Sequence, residues 1–363
     1  MELKYFIIRR GLIIIPTLMG LTVLVFILLW AFGPYQIAIA FNPDLHGRHG
    51  LTTLANYLNQ QGFSAAVING KLQFTNPIGS YFRFVADLFT GNWGQVTSPV
   101  RASTITAIGV FIPNTIQLAL GATILSVIIA IPLGTYIGAR PNTPADAVGR
   151  IFSLSGYALP AFWLGYILIA LFANHGIGLV ASAFPYSGSG VTGAPSSIIG
   201  NFGLSDPTHI LLIDSLLAGN LSLFVSAVAH LVLPVVTITY GILAGILRFI
   251  RAGMVDAAGQ EFIKTARAKG VPERLVIKKH IRKNALLPTV TVLGLLISGL
   301  LGGVVTVEIV FNYLGIGYLA VNFALGVQVW GILALTFVFG LILMITNLLV
   351  DVVYAFLDPR IRY

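Results

Sequence analysis

Glu308 and Asp351 stand inside long apolar runs, where an ionised side chain costs about 2.5–3.5 kcal/mol at a helix centre by insertion scales. A carboxylate so placed either lines a polar pathway or satisfies a neighbouring helix. Glu308 is open to both roles and is the candidate pathway residue. Asp351 lies near the end of its run and is expected to pair with a basic loop residue. His230, also in an apolar run, reads as a satisfied packing residue. His46 and His49 stand three residues apart in a Gly-rich stretch, too few ligands for a metal. The absence of cysteine removes thiol catalysis and cysteine–metal sites. There is no His-Glu-x-x-His and no Gly-x-Ser-x-Gly, so no catalytic residue and no metal ligand is assigned. Gly70-Lys71 lacks the upstream Gly and the following Ser or Thr of an ATP-binding loop. Gly188-Ser-Gly190-Val-Thr-Gly193 matches Gly-x-Gly-x-x-Gly, but not at a strand–helix junction of a parallel unit, and is not read as a dinucleotide site.

These few groups sit in a chain built for a non-aqueous solvent. Of its 363 residues 56% are hydrophobic and 9% charged, with a mean hydropathy of +0.90. A soluble domain carries about 25% charged residues. Composition therefore excludes a soluble enzyme, a disordered chain and a nucleic-acid-binding domain. Six apolar runs reach the roughly 20 residues needed to cross the hydrocarbon. They are Gly11–Phe32, Thr115–Gly138, Ile151–Ala173, Leu221–Ile246, Ala285–Phe311 and Val329–Phe356. The chain reads as an all-α membrane protein of six transmembrane helices, one domain over 1–363. The first run follows Lys4, Arg9 and Arg10 and precedes Ala38-Ile39-Ala40, as a signal peptide would. It exceeds the ~7–15 residues of a signal core and is read as a retained helix. Gly134/Gly138, Gly241/Gly245 and Gly299/Gly303 are small-residue pairs at i, i+4 spacing, read as packing faces within one bundle, with a face against a partner subunit as the alternative.

The net charge is +9. With the N-terminus inside, seventeen of the 21 basic residues fall on the inner side, and only Arg48, Lys71, Arg83 and Arg101 fall outside. Such asymmetry places both termini in the cytoplasm, in a multi-pass cell-membrane protein. It also explains the basic charge without nucleic acid. The first outer segment, 33–103, is too long for a simple connection. Its semi-apolar stretches Leu51–Leu58 and Tyr81–Phe89 predict a small folded cap or surface-lying helices. The second outer segment, about Asn174–Asn220, is rich in Gly, Ser and Pro, and ends in the glycosylation-like triplet Asn220-Leu-Ser222.

The inner segment 248–284 carries ten of the 21 basic residues. Within it Glu261-Phe-Ile-Lys-Thr-Ala-Arg-Ala-Lys269 is helix-forming, and Gly270 with Pro272 ends it. Pro272 and Glu273 suit the first turn of a second short helix. Asn284-Ala-Leu-Leu-Pro288 is expected to restart the chain into the membrane. Two short helices at a tight Gly-Pro turn can dock into a groove of a soluble partner or anchor on anionic lipid.

Here a resemblance enters. Phe262-Ile-Lys-Thr-Ala-Arg-Ala-Lys-Gly270, with His280-Ile-Arg-Lys-Asn-Ala-Leu-Leu-Pro288, resembles the EAA-type coupling loop of ATP-binding-cassette importers. The interval from Gly270 to Pro288 resembles the dipeptide/oligopeptide/nickel permease branch. Arg9-Arg10 with Pro16-Thr17, Pro113-Asn-Thr115, Leu159-Pro-Ala-Phe-Trp-Leu-Gly165, Gly302-Gly303 with Glu308 and Phe311, Gly315-Ile-Gly317, and Asp351-x-x-Tyr354 with Asp358-Pro-Arg-Ile-Arg362 follow in the family's order. Pro34-Tyr35-Gln36, Leu314 and Gln328-Val-Trp330 depart from its pattern, all on the outer side, where they bear on cargo.

The resemblance implies a type I importer permease with an outer insertion after helix 1. It implies ATP-driven, binding-protein-dependent import, with di- or oligopeptides the expected cargo and β-linked oligosaccharides or nickel the alternatives. Implied partners are a second homologous permease, two ATPase subunits carrying ATP and Mg, and an extracytoplasmic solute-binding protein. The chain itself binds no cofactor in this reading. Glu261, Phe262, Lys264, Thr265, Ala266, Arg267, Ala268, Lys269 and Gly270 form the coupling loop. Phe262 and Ala266 face the ATPase groove, Lys264, Arg267 and Lys269 pair with acidic groups or lipid phosphate, and Gly270 makes the turn. A secondary transporter is the rival class, and the scarcity of intramembrane charge argues against it.

Overall fold

The computed structural model describes residues 3–31, 48–60, 64–96, 99, 101–172, 208, 210–326 and 328–357. The motifs at 38–40, 188–193 and 358–362, and His46, lie outside them. The described chain is mostly helical, with two short antiparallel ribbons, and divides into two units. One comprises 1–7, 113–314 and 345–363; the other 8–112 and 315–344.

The second unit takes helix α1 (Leu3–Ala31) from Ile8 on, followed by α2 (Arg48–Gln60), strands β1 (Ala65–Ile68) and β2 (Lys71–Phe74), and α3 (Pro77–Thr90). A two-strand ribbon of β3 (Gln95–Val96) and β4 (Ala102–Ser103) leads into α4 (Thr104–Gly138). The described residues of 33–103, called the cap below, thus combine two helices with a hairpin that was not expected. Asn69 and Gly70, φ 52° and 73°, join β1 and β2 as a two-residue turn of the kind that matches strand twist. This is what Gly70-Lys71 is for. Asn76 caps α3, its side chain accepting from the Gly79 amide at 2.8 Å, with Pro77 in the first turn. Phe84, with no exposure, packs 5.1 Å from the Trp330 ring. Tyr81 sits 5.4 Å from Phe26, and its hydroxyl lies 3.1 Å from Thr22 Oγ1. Trp330 belongs to α13 (Val329–Leu357), which follows α12 (Ile316–Leu325).

The first unit is built on α8 (Leu221–Ala258). Around it pack α5 (Pro144–Ala158), α6 (Ala161–Phe172), α7 (Leu211–Leu217) and α11 (Arg282–Val310). Leu243, Leu247, Ile250, Met254 and Ala257 recur every three or four residues along α8, and all are buried. Asn220 caps this helix, its Oδ1 accepting from the Leu223 amide at 3.1 Å. The glycosylation-like triplet is thereby a helix start.

Helices Ile8–Trp30, Thr104–Gly138, Leu221–Ala258 and Val329–Val352 are each long and apolar enough to cross a membrane. The fifth expected span is the 29-residue α11. Several boundaries differ from expectation, and the helix of the fourth span runs on to Ala258 rather than ending at Ile246. The second span begins at Thr104, not Thr115, with Pro113 inside the helix. The third is broken: α5 and α6 meet at 107°. Pro160 has no N–H and its ring clashes with a helical carbonyl behind it, while Leu159 turns extended at ψ 120°. The restart expected at Asn284–Pro288 is absent, because the helix leading into α11 has already begun at Glu273.

The glycine pairs divide. A Cβ on Gly134 or Gly138 would lie 2.6–2.8 Å from Ile250 or Met254, so this pair packs internally. Gly241, Gly299 and Gly303 have nothing within 4 Å of a Cβ and line an apolar cavity of about 280 Å³.

Candidate functional site

The segment joining α8 to α11 is built from the turn outward. Helix α9 (Glu261–Ala268) begins with an acid at its positive end and ends at Gly270, φ +76°. The Gly270 amide donates to the Arg267 carbonyl at 2.9 Å, and the Val271 amide to the Ala266 carbonyl at 3.2 Å. This paired closure satisfies carbonyls the helix would leave bare. Open space surrounds Gly270, so its requirement is conformational rather than steric. Pro272 then precedes the single turn α10 (Glu273–Leu275), which continues as a wide π-type turn, Val276–Ile281, into α11. In a π turn residues i and i+5 stack. Val276 and Ile281 therefore both face the core, at 0% and 3% exposure.

The inner face of α9 is Ile263, fully buried, and Ala266, 8% exposed, one turn apart. Ala266 therefore does not share the outward face with Phe262. Four apart, they lie only about 40° from each other around the helix, and the edge of the core runs between them. Phe262 is 44% exposed. Glu261, Lys264, Thr265, Arg267, Ala268 and Lys269 are exposed beside it. Two of the basic residues pair within the chain. Lys264 Nζ is 2.6 Å from Glu261 Oε1, and Arg267 grips Glu273 with Nε and Nη2 at 3.0 and 2.6 Å. The Arg267 guanidinium holds the Glu273 carboxyl below its ordinary value. At the base of the loop α8 and α11 touch backbone to backbone: a Cβ on Gly253 would lie 2.8 Å from the Ala285 carbonyl oxygen.

Beside this base lies a group the sequence reading passed over. Asp146, with no exposure, accepts Arg251 Nε and, at 2.9 Å, Arg251 Nη2, while the Asn142 amide donates to it at 3.0 Å. It joins the start of α5 to α8, just before the loop. The signal was present as Thr143-x-x-Asp146, a helix-start pattern, with Asp146 the one acid between Ala139 and Arg150.

Glu308 is fully buried and accepts from Thr115 Oγ1 at 2.6 Å, so its carboxylate satisfies a neighbouring helix. Asn114 Nδ2 donates to the Leu314 carbonyl at 2.9 Å, tying the same helix ends. His230 is 4% exposed, its Nδ1 2.7 Å from the Ser226 carbonyl, in the packing role expected. Asp351 is half-buried on α13. No group of three metal-binding side chains occurs among the described residues.

Residues 130–363 match the family described as the binding-protein-dependent transport system inner membrane component. The chain belongs to that family. It is 31% identical over 361 residues to the oligopeptide transport system permease protein AppB of Bacillus subtilis, covering 99% of both chains. It is 34% identical over 284 residues to the probable D,D-dipeptide transport system permease protein DdpB of Escherichia coli, covering 77% and 79%. To the dipeptide transport system permease protein DppB of that organism it is 28% identical, covering 99% and 98%. This protein is thus a multi-pass membrane permease subunit of a binding-protein-dependent importer of the dipeptide/oligopeptide class. It is not the enzyme of its system, since ATP hydrolysis belongs to separate subunits.

Proposed function

We propose that this permease carries di- or oligopeptides inward and is driven through residues 248–284 by two ATPase subunits holding ATP and Mg. A second homologous permease completes the pathway, and an extracytoplasmic binding protein delivers cargo to the outer insertion, 33–103. Both termini are cytoplasmic in this reading, which rests on the skew of Lys and Arg. The peptide cargo rests on the names of the relatives. The observation that carries the coupling role is α9 itself, a short helix pinned from behind by Ile263 and Ala266 and presenting Phe262 outward. A half-exposed aromatic ring on a rigid, charged helix is the form of an anchor for a groove. Glu261, Lys264, Thr265, Arg267, Ala268 and Lys269 form its polar rim, and Gly270 fixes its exit.

The test is purification of the chain from its native membrane in mild detergent, with mass spectrometry of what accompanies it. Two ATPases and a second permease are expected. Phe262→Asp should lose the ATPases while the chain still inserts. A chain that purifies intact without any nucleotide-binding partner overturns the proposal in favour of a secondary transporter. ATP-dependent uptake of a labelled dipeptide into vesicles holding the complex tests the cargo.

A further inference from the structure

The charges of 248–284 do not balance locally. Its acids are Asp256, Glu261 and Glu273, and the last two are engaged by Lys264 and Arg267, while Arg251 is engaged by Asp146. Lys278, Lys279, Arg282 and Lys283 form no ion pair with any carboxylate among the described residues. They are gathered on one side of the chain. The wide turn at Val276–Ile281 sends Val276, Ile281 and Ala285 to the core and brings these four cations together along a groove of about 570 Å³. Leu275 and Leu286 complete its lining. Leu275 is 48% exposed, an apolar side chain held open beside four positive charges.

Four cations without an ion pair among the described residues repel one another, and a groove that gathers them favours an anion. The apolar lining narrows the choice, because a bare anion gains nothing from Leu275 and Leu286. The groove also lies where α11 begins its apolar run, the end at which a spanning helix meets lipid headgroups. We propose that Lys278, Lys279, Arg282 and Lys283 bind the phosphate headgroup of an anionic phospholipid, whose chains lie along Leu275 and Leu286. The proposal needs α11 to enter the bilayer here and is independent of what docks on α9.

The probe is phosphatidylglycerol. The full-length chain is reconstituted in vesicles of phosphatidylcholine with and without phosphatidylglycerol, extracted in mild detergent, and its retained lipids counted by native mass spectrometry. Phosphatidylglycerol should be retained in preference to phosphatidylcholine. R282Q should lower that preference about fivefold, and K278Q/K279Q/R282Q/K283Q more than about tenfold, each charge near a surface contributing comparably. The charge-keeping K278R/K279R/R282K/K283R should retain it and shows that the fold tolerates change here. Equal retention of both lipids, or an unchanged preference in the fourfold Gln variant, overturns the proposal. Displacement of the lipid by inorganic phosphate alone makes this a free-phosphate site and also overturns it. Loss of ATPase subunits from the fourfold Gln variant with lipid retention unchanged identifies a protein-docking face instead.

Discussion

The cap of the second unit and the loop of the first are both irregular stretches held against long helices, but by opposite physics. The cap is held by rings. Phe84, Tyr81, Phe26 and Trp330 exclude water, and the Tyr81 hydroxyl reaches Thr22 Oγ1 at 3.1 Å and the Met19 carbonyl at 3.4 Å. The loop has a narrow apolar footing, Ile263, Ala266, Val276 and Ile281, and adds charges and glycines to it: Asp146 on Arg251, Glu273 on Arg267, and closures at Gly270 and Gly253. A ring cluster is indifferent to pH and salt and loses much when a ring is removed. A charge set is graded, strong where water is excluded and weak where it is not. A segment that must stay put suits the first arrangement, and one that works at an aqueous face suits the second.

That contrast orders the expected damage. Phe84→Ala removes a fully buried ring and should cost about 3–5 kcal/mol. It should lower the thermal midpoint in detergent and open the cap to proteolysis, while Phe84→Leu should do so less. Asp146→Asn comes next. Loss of one partner of a buried pair costs about 3–5 kcal/mol. Arg251 keeps 26% exposure, so about 2–3 kcal/mol is expected. The double variant with Arg251→Gln should recover part of it, and full additivity in the cycle would break the pairing argument. Gly270→Ala should cost about 1–2 kcal/mol from the left-handed backbone alone. Gly270→Val should abolish ATP-driven uptake without loss of insertion. Normal uptake by Gly270→Val would sever the turn from coupling. Glu273→Gln should do least, its pair being about half exposed on both sides. The sign is fixed: a carboxyl held below 4.5 in the folded chain stabilises at neutral pH and loses that contribution as pH falls through its lowered value. Unfolding curves of wild type and variant should therefore separate at pH 7 and converge in acid, and high salt should narrow the gap.

Most of the helices were legible because a run of apolar residues needs no tertiary information to be seen. Helix α9 and its stop were legible for a local reason, Gly270 before Pro272. The bend at Leu159–Pro160 was written in the sequence, but hydropathy alone bridges it. The hairpin at Asn69-Gly70 was also written locally, in a dipeptide that favours a two-residue turn. What could not be read was which row of α9 turns inward. Ile263 and Phe262 are both apolar, and only the core beneath chooses between them. Nor could the donor to Glu308 be read, Thr115 standing 193 positions away. The partner of Asp146 was likewise 105 positions distant.

Gly253 sets a limit of another kind. Where side chains meet, a mutation can be forgiven by a rotamer change or a smaller neighbour. At the crossing of α8 and α11 the atoms facing Gly253 are the main chain of Ala285, at 2.8 and 3.2 Å from a would-be Cβ. No substitution at 285 can clear that space. Relief would require the two helices to move apart together with everything packed on them. The base of the loop is therefore a crossing without play, where the two main chains themselves set the distance between the helices.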